Sequence, residues 1–171
     1  QNTISDDIDN YGTLNITATT SVTDDIFVRG GSTLNSSSTV TSNDGVYVYG
    51  DLNVTAGTFT VGNGFVEDLV LYTGGTFDPS GGTTAIKDDL WISTGGVATI
   101  TADVNVGGMV NVDAGTLNVN TGADLDIEEI IDQDGGTINI NDGAVNLNSG
   151  TAVSRVYVDN AAFNVSGGTL T

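Results

Sequence analysis

The sequence of 171 residues contains no histidine and no cysteine, and Pro79 is its single proline. Without His and Cys the chain cannot form a disulfide, a Ser-His-Asp or Cys-His catalytic site, or a zinc or haem site that uses those ligands. Carboxylates are then the only common catalytic groups that remain. The presence of 24 glycines beside one proline also excludes collagen-like and proline-rich linker compositions.

Positive charge is scarce as well, since 3 Lys and Arg residues stand against 22 Asp and Glu residues and the net charge is −19. A surface this acidic repels phosphate backbones and anionic lipids and attracts divalent cations, so we expect no nucleic-acid partner. No apolar run approaches the roughly 20 residues of a membrane span, so we expect no membrane insertion. The hydrophobic fraction of 38% is nevertheless sufficient for a buried core.

A short apolar-x-apolar segment, usually preceded by acidic or turn residues, recurs along the whole chain. Its copies are 18 to 26 residues apart, and their mean spacing is about 21 residues. Internal repeats of this length are typical of solenoid proteins. The first apolar residues of the copies, predicted to form one inward column, are Ile8, Ile26, Val46, Leu69, Leu90, Val110, Ile130 and Val156.

Two further segments follow within each repeat, exemplified by Gly-Thr-Leu-Asn-Val at 115–119 and Thr-Phe-Thr-Val at 58–61. Their alternation with period 2 is typical of β-strands. The sequence therefore predicts an all-β, single-stranded parallel β-helix with three short strands per coil, about eight rungs and no capping elements, as one domain at 1–171. The variable coil length favours a right-handed helix. A second inward column is predicted at Leu14, Leu34, Leu52, Phe77, Ala98, Leu117, Ile138 and Phe163.

Repeats in the style of Gly-Gly-Thr-Leu-Asn-Val resemble the parallel β-helix stalks of autotransporter passengers and other surface adhesins. The resemblance covers essentially the whole chain and implies a structural protein of the cell surface. It is weak for function, because such stalks carry enzymes, adhesins and inert spacers alike, and no active-site motif of these families matches the sequence. The start at Gln1 fits a secreted protein whose signal peptide has been removed, and it fits a trimmed piece of a longer chain equally well.

The two ends of the sequence match each other through the third strand of the coil. Residues 165–171 resemble 54–60, the start of that strand, and residues 1–8 resemble 20–26, its end. Because head-to-tail contacts that do not close produce open filaments, the sequence predicts a self-stacking filament subunit. A segment cut from a longer β-helix is the alternative. The predicted interface consists of Gln1, Thr3, Ile4, Asp7, Ile8, Arg155, Val156, Phe163, Thr169, Leu170 and Thr171.

Arg155 is predicted to be the final member of an otherwise acidic column at the turn before the first strand. In a stack it would face Asp7 of the next copy, in an exposed ion pair worth roughly 0.2–1 kcal/mol. An arginine solvated within its own subunit is the alternative. The predicted acidic members of the column are Asp7, Asp25, Asp68, Asp89 and Glu129.

Aromatic residues are predicted to form an outward stripe, together with Val70 and Ile131. A contiguous stripe usually marks an interaction surface, so lateral packing of filaments is the first interpretation. Stacking on sugar rings and an exposed strand without any partner are the alternatives. The aromatic members are Tyr11, Phe27, Tyr47, Tyr49, Tyr72, Trp91 and Tyr157.

Paired acidic residues recur at one turn of the coil. Oxygen ligands suit a hard cation such as Ca²⁺, but the sequence has no calcium-binding loop motif, so a solubilising turn is the preferred interpretation and Ca²⁺ the alternative. We expect no other cofactor. The candidate metal ligands are Asp6, Asp7, Asp24, Asp25, Glu67, Asp68, Asp88 and Asp89.

A third outward column consists mainly of asparagine, which can form hydrogen-bonded ladders along the axis. Four members lie in Asn-x-Ser/Thr sequons and are candidate glycosylation sites. They are Asn15, Asn35, Asn53 and Asn164.

Together these patterns predict a structural subunit of a secreted, self-assembling extracellular filament, with itself as its partner and no enzymatic activity. The alternative is a stalk segment of a large surface adhesin. An ice-binding plane is less favoured, because Asp103 and Asp124 interrupt the required Thr-x-Thr column.

Overall fold

The computed structural model describes residues 1–63, 67–147 and 155–171. Those residues form short β-strands joined by turns, and none of them belongs to a helix that could span a membrane. In chain order the strands are β1 (Asn2–Ile4), β2 (Ile8–Asn10), β3 (Thr13–Ile16), β4 (Thr20–Val22), β5 (Ile26–Val28), β6 (Thr33–Ser36), β7 (Val40–Ser42), β8 (Val46–Val48), β9 (Asp51–Val54), β10 (Thr58–Val61), β11 (Leu69–Leu71), β12 (Thr76–Pro79), β13 (Thr83–Ile86), β14 (Leu90–Ile92), β15 (Val97–Ile100), β16 (Asp103–Val106), β17 (Val110–Val112), β18 (Thr116–Asn120), β19 (Asp124–Ile127), β20 (Ile130–Asp134), β21 (Thr137–Asn141), β22 (Ala144–Leu147), β23 (Arg155–Asp159), β24 (Ala162–Ser166) and β25 (Thr169–Leu170).

These strands make three parallel sheets that wind as a solenoid. Each sheet takes every third strand in chain order, so the chain passes through all three sheets once per coil. Among the described residues, sheet 1 contains nine strands, from β1 and β4 to β22 and β25. Sheet 2 runs from β2 and β5 to β23, and sheet 3 from β3 and β6 to β24, with eight strands each. The predicted fold, with its repeat near 21 residues, is confirmed.

Inward side chains stack in columns of similar residues through the middle of the solenoid. The predicted column of sheet 3 is confirmed, because its members are register partners in unbroken succession from Leu14 to Phe163. Leu34, Phe77 and Leu117 within it are each 0% exposed. Parallel strands lie about 4.8 Å apart, so a buried side chain packs against its equivalents in the rungs above and below.

One member of the sheet 2 column differs from the prediction. Val110 pairs with Ile131, and Ile131 pairs with Val156, so the core residue of this rung is Ile131 and the prediction of Ile130 was wrong. Ile131 is 1% exposed, whereas Ile130 is only half-buried.

A buried glutamine accounts for this difference. Gln133 takes the second inward position of β20 and is 0% exposed. Its Nε2 donates a hydrogen bond to the carbonyl oxygen of Ala162 at 2.9 Å, which partly offsets the cost of burying an amide. Asp132 consequently occupies the outward position that was predicted for Ile131.

Paired glycines precede several strands of sheet 3, and each glycine of a pair is required for a different structural reason. Gly74 has a φ of 83°, in the left-handed region that favours glycine. At Gly75, a Cβ atom would collide with the carbonyl oxygen of Val48 in the preceding rung. The Gly-Gly-Thr element of the repeat follows from these two constraints.

Candidate functional site

The final described rung, β23 to β25, exposes side chains of columns that are buried elsewhere. Val158, Val165 and Leu170 are 47%, 50% and 38% exposed, although all three stand in inward columns. Ile140 and Val145, which precede Val165 and Leu170 in their columns, are 0% and 1% exposed. This end therefore presents an apolar surface and an open strand edge, which is a template for another rung.

Two of these exposed residues were missed by the sequence-based interface prediction. The prediction included Val156, Phe163 and Leu170 but omitted Val158 and Val165. Each omitted residue follows a predicted one by two positions on the same strand, so the period-2 alternation would have identified it.

The first rung, β1 to β3, is open at the opposite end. A cleft of about 390 Å³ lies there, and Ile4, Ile8, Leu14 and Ile16 supply its apolar wall. These four residues belong to the core or pack against it. The predicted interface residues Ile4 and Ile8 thus lie together, with Gln1, Thr3 and Asp7 exposed nearby in the chain. The remaining lining residues are Asn2, Asn15, Thr17, Ala18 and Thr20.

The predicted asparagine column on sheet 3 forms hydrogen-bonded ladders with a uniform direction. The Nδ2 of Asn35 donates to Oδ1 of Asn15 at 2.8 Å, and the Nδ2 of Asn53 donates to Oδ1 of Asn35 at 2.8 Å. Near the other end, the Nδ2 of Asn164 donates to Oδ1 of Asn139 at 2.9 Å. Every bond runs from the later rung to the earlier one. One end of the solenoid consequently offers an amide donor, at Asn15, and the other offers an amide acceptor, at Asn164.

The asparagines of the four predicted sequons are members of this ladder. Three of the predicted glycosylation residues, Asn35, Asn53 and Asn164, already use Nδ2 as a ladder donor. Asn15 is at the start of the ladder and is exposed. The ladder gives this column a structural role, and its glycosylation stays a prediction.

Aspartates at the turn before sheet 2 accept hydrogen bonds along the axis. Oδ1 of Asp7 accepts from the backbone N–H of Asp25 at 3.1 Å, and Oδ1 of Asp25 accepts from Gly45 at 2.9 Å. Higher in the same column, Oδ1 of Asp68 accepts from the N–H of Asp89 at 3.2 Å. These carboxylates therefore satisfy backbone donors of the following rung.

Arg155 stands at the end of this column, as predicted, but one predicted neighbour was wrong. Arg155 pairs with Ile130, so Glu129 lies outside the column. Within its own chain, the Nη1 of Arg155 donates to the hydroxyl of Tyr157 at 2.7 Å. Its pairing with Asp7 of a second copy stays a prediction.

Carboxylates close enough to share a cation occur in two groups among the described residues. Asp6, Asp7 and Asp24 form the first, and Asp24, Asp25 and Asp44 the second, with oxygens within 4.8 Å of one another in each group. Hydrogen bonding by Asp7 and Asp25 gives these groups a structural role, and Ca²⁺ binding stays a prediction. The remaining predicted ligands form no such group within the described ranges: Glu67, Asp68, Asp88 and Asp89.

The predicted aromatic stripe is divided into two unequal parts. Phe27 and Tyr47 stack with their ring centroids 5.1 Å apart, and Tyr49 and Tyr72 stack at 4.3 Å. The first pair continues along its column through Val70 to Trp91, but Asn111 and Asp132 then separate Trp91 from Tyr157. The aromatic surface is therefore confined to the first five rungs, with Tyr157 isolated at the far end.

Arg29 packs against the aromatic surface at the rings of Tyr11 and Phe27. Its guanidinium carbon lies 4.4 Å from the ring centroid of Phe27 and 5.7 Å from that of Tyr11. Its Nε also donates to Oδ1 of Asp9 at 2.7 Å. Stacking covers one face of each of the four stacked rings, and Arg29 lies over the rings of Phe27 and Tyr11, so these faces already have contacts within the chain.

Burial raises the pKa of Asp25, Asp68 and Asp88 above the ordinary value of 3.8. Desolvation by burial is the largest cause for each of them, and neighbouring carboxylates add to it. A raised pKa means that the folded state binds the proton more tightly than the unfolded state. The free energy of unfolding is therefore expected to increase as the pH falls from neutral toward 3.8.

Asp25→Asn is expected to raise the melting temperature at pH 7 and to weaken its pH dependence. Asparagine keeps an Oδ1 acceptor for Gly45 and removes a charge that burial and Asp44 disfavour. Thermal unfolding at pH 7 and pH 4, followed by circular dichroism, measures both effects. Asp124→Asn, on the exposed side of sheet 1, is the matched control and should change little. A lower melting temperature of Asp25→Asn at pH 7 would contradict the assignment.

Comparison with protein-family models, with the curated proteins and with the solved structures finds no match to this chain. The fold itself therefore defines the class: a parallel β-solenoid of about eight turns. Its two described end rungs are apolar and open, and the hydrogen-bonding ladders that reach them have the same direction throughout.

Proposed function

We propose that the chain is a structural subunit of a secreted filament or surface fibre, which polymerises head to tail by continuation of the β-solenoid. The observation that carries this proposal is the complementarity of the two end rungs. Val156, Phe163 and Val165 of the last strands stand in the columns that begin at Ile8, Leu14 and Ile16 in the apolar wall of the cleft. The other two exposed residues, Val158 and Leu170, stand in columns that begin at the polar residues Asn10 and Asn2.

Stacking in register continues each inward column from one copy into the next. Burying the exposed half of a Val, Leu or Phe side chain contributes roughly 1 kcal/mol, and the strand ladder of the sheets adds backbone hydrogen bonds along the axis. The apolar pairs formed across the junction would be Val156 with Ile8, Phe163 with Leu14, and Val165 with Ile16.

Polar groups support the same register. The Nδ2 of Asn15 would donate to Oδ1 of Asn164 in the preceding copy, in the direction that every other bond of the ladder follows. Arg155 would lie one rung from Asp7 of the following copy, because both occupy the same column. These contacts specify register more than they drive assembly, since exposed polar pairs contribute little.

The net charge of −19 per subunit opposes stacking. The Debye length falls from roughly 30 Å at 0.01 M salt to about 8 Å at 0.15 M, so screening should relieve this repulsion. Assembly of the 171-residue chain is therefore expected to increase with ionic strength in sedimentation experiments. NaCl and CaCl₂ at equal ionic strength separate screening from bridging of carboxylates by Ca²⁺. A chain that stays monomeric at every salt concentration would contradict the proposal.

A stalk segment of a larger surface adhesin is the second candidate. The coil-on-coil repetition of the sequence favours it, because the end rungs would then be covered by further coils of the same chain. In that case the isolated 171-residue chain should form single short rods, whereas the filament proposal predicts fibres. In either role, the aromatic surface of the first five rungs is the candidate site of lateral bundling.

A further inference from the structure

Sheet 1 contains one strand more than either of the other sheets among the described residues, because both β1 and β25 belong to it. The register shows that these two strands occupy the same columns. Asn2 belongs to the column that ends at Leu170, and Thr3 belongs to the outward column of Asn146. The amide of Thr171 donates to the carbonyl of Val145, which places Thr171 beside Asn146 and hence in the column of Thr3.

This coincidence matters at a head-to-tail junction. Suppose that β2 of one copy pairs with β23 of the preceding copy, and β3 with β24. In sheet 1, only one strand position then remains between β22 of the preceding copy and β4 of the following copy. Both β25 of the preceding copy and β1 of the following copy fit that position. Two strands therefore compete for one place in the sheet.

The inward column decides between them. Its members between Asn2 and Leu170 are buried, and all of them are apolar except Thr20 and Thr84. At the junction the contested position lies between Val145 of the preceding copy, which is 1% exposed, and Thr20 of the following copy. Placing Leu170 there buries an apolar side chain, whereas placing Asn2 there buries an amide. The chemistry of the column thus favours β25.

Ile4 does not take part in this competition. Ile4 pairs with Val22, and their column lies one position past the column of Thr171 along the strand. Residues 169–171 of the preceding copy therefore end before this column, and Ile4 can stay paired with Val22 of its own subunit. Its carbonyl already accepts from the N–H of Thr23 at 3.0 Å. A junction strand of three residues from one copy, followed by Ile4 of the next, would fill the position.

We infer that residues 1–3 are a replaceable edge segment, displaced at each junction by residues 169–171 of the preceding copy. This inference rests on the proposed filament. In the free chain the segment covers the open edge of β4, through the N–H of Asn2 and the carbonyl of Thr19 at 2.8 Å. Edge strands that cover a sheet in this way limit uncontrolled pairing.

Cysteine cross-linking tests the replacement, because the native sequence has no cysteine. In the replaced junction, Thr171 lies beside Ser21 of the following copy, since Thr3 is the register partner of Ser21 within one chain. Neighbouring strands bring Cα atoms within the 4.4–6.8 Å range of disulfides. The double variant with Thr171→Cys and Ser21→Cys should therefore give covalent multimers when assembled filaments are oxidised. The matched control, with Thr171→Cys and Thr41→Cys, should give none, because Thr41 lies one strand beyond Ser21 in the same column and is out of reach of a disulfide.

The outcomes separate this inference from the proposed function. If the control variant cross-links in filaments, or if neither variant does, the replacement is overturned and head-to-tail assembly still stands. A lack of any filaments in both variants and in the unmodified chain would overturn both proposals.

A second double variant tests the displacement itself. Thr3→Cys with Ser21→Cys should lock the edge segment onto its own subunit when oxidised, and assembly should be lost until a reductant is added. Equal assembly in the oxidised and reduced states would overturn the replacement.

Discussion

Val165→Asp is expected to abolish filament assembly while leaving the single solenoid folded. Val165 is 50% exposed in the chain, so an aspartate there remains hydrated before assembly. At the junction it would face Ile16 of the next copy, and burying an unpaired carboxylate costs several kcal/mol. Each 1.4 kcal/mol is tenfold in affinity, so the critical concentration should rise by about 100-fold or more. Sedimentation at a fixed salt concentration measures the change.

Ala162→Asp is the matched control for this prediction. Ala162 lies on the same strand but in an outward column, in which Asp51 already stands. The control adds the same charge without placing it in the apolar interface, so its assembly should stay within a fewfold of the unmodified chain. Equal losses in Val165→Asp and Ala162→Asp would show that charge alone governs assembly.

Phe77→Ala is expected to destabilise the solenoid strongly. The side chain is 0% exposed in the sheet 3 column, and truncating a buried phenylalanine costs about 3–5 kcal/mol because a cavity remains. For a chain of this length, that corresponds to a melting temperature lower by roughly 10 °C. Thermal unfolding followed by circular dichroism measures it.

Phe27→Ala provides the comparison, with the same residue type on the outside of sheet 2. It removes a ring that stacks on Tyr47 and carries the guanidinium of Arg29. Such contacts are worth about 0.5–1.5 kcal/mol each, so the loss should be clearly smaller than for Phe77→Ala. Equal destabilisation by the two changes would contradict the assignment of inward and outward columns.

Most of the fold could be predicted from the sequence, because the period-2 alternation is repeated once per coil. The column from Leu14 to Phe163 needed no structural information beyond that repetition. The error at Ile130 has a specific cause. Two isoleucines are adjacent there, and the second inward position is held by Gln133, whose Nε2 donates a hydrogen bond to the carbonyl oxygen of Ala162. A local apolar pattern cannot show that a polar side chain is inward.

The candidate surfaces were predicted less completely. The sequence placed Tyr157 in the aromatic stripe, but Asn111 and Asp132 interrupt the column between Trp91 and that residue. The overlap between β1 and β25 was also missed, because it depends on register transferred through every strand of sheet 1. Variable turn lengths hide such a relation from a comparison of sequence ends alone.

Electron microscopy of the 171-residue chain, with averaging along any fibres, tests head-to-tail continuation most directly. Eight described strands in sheet 2, at about 4.8 Å per strand, give an expected axial rise of roughly 38 Å per subunit. Fibres with that rise and an unbroken strand ladder would match the prediction. Single short rods at high salt, or fibres without an axial repeat near that value, would contradict it.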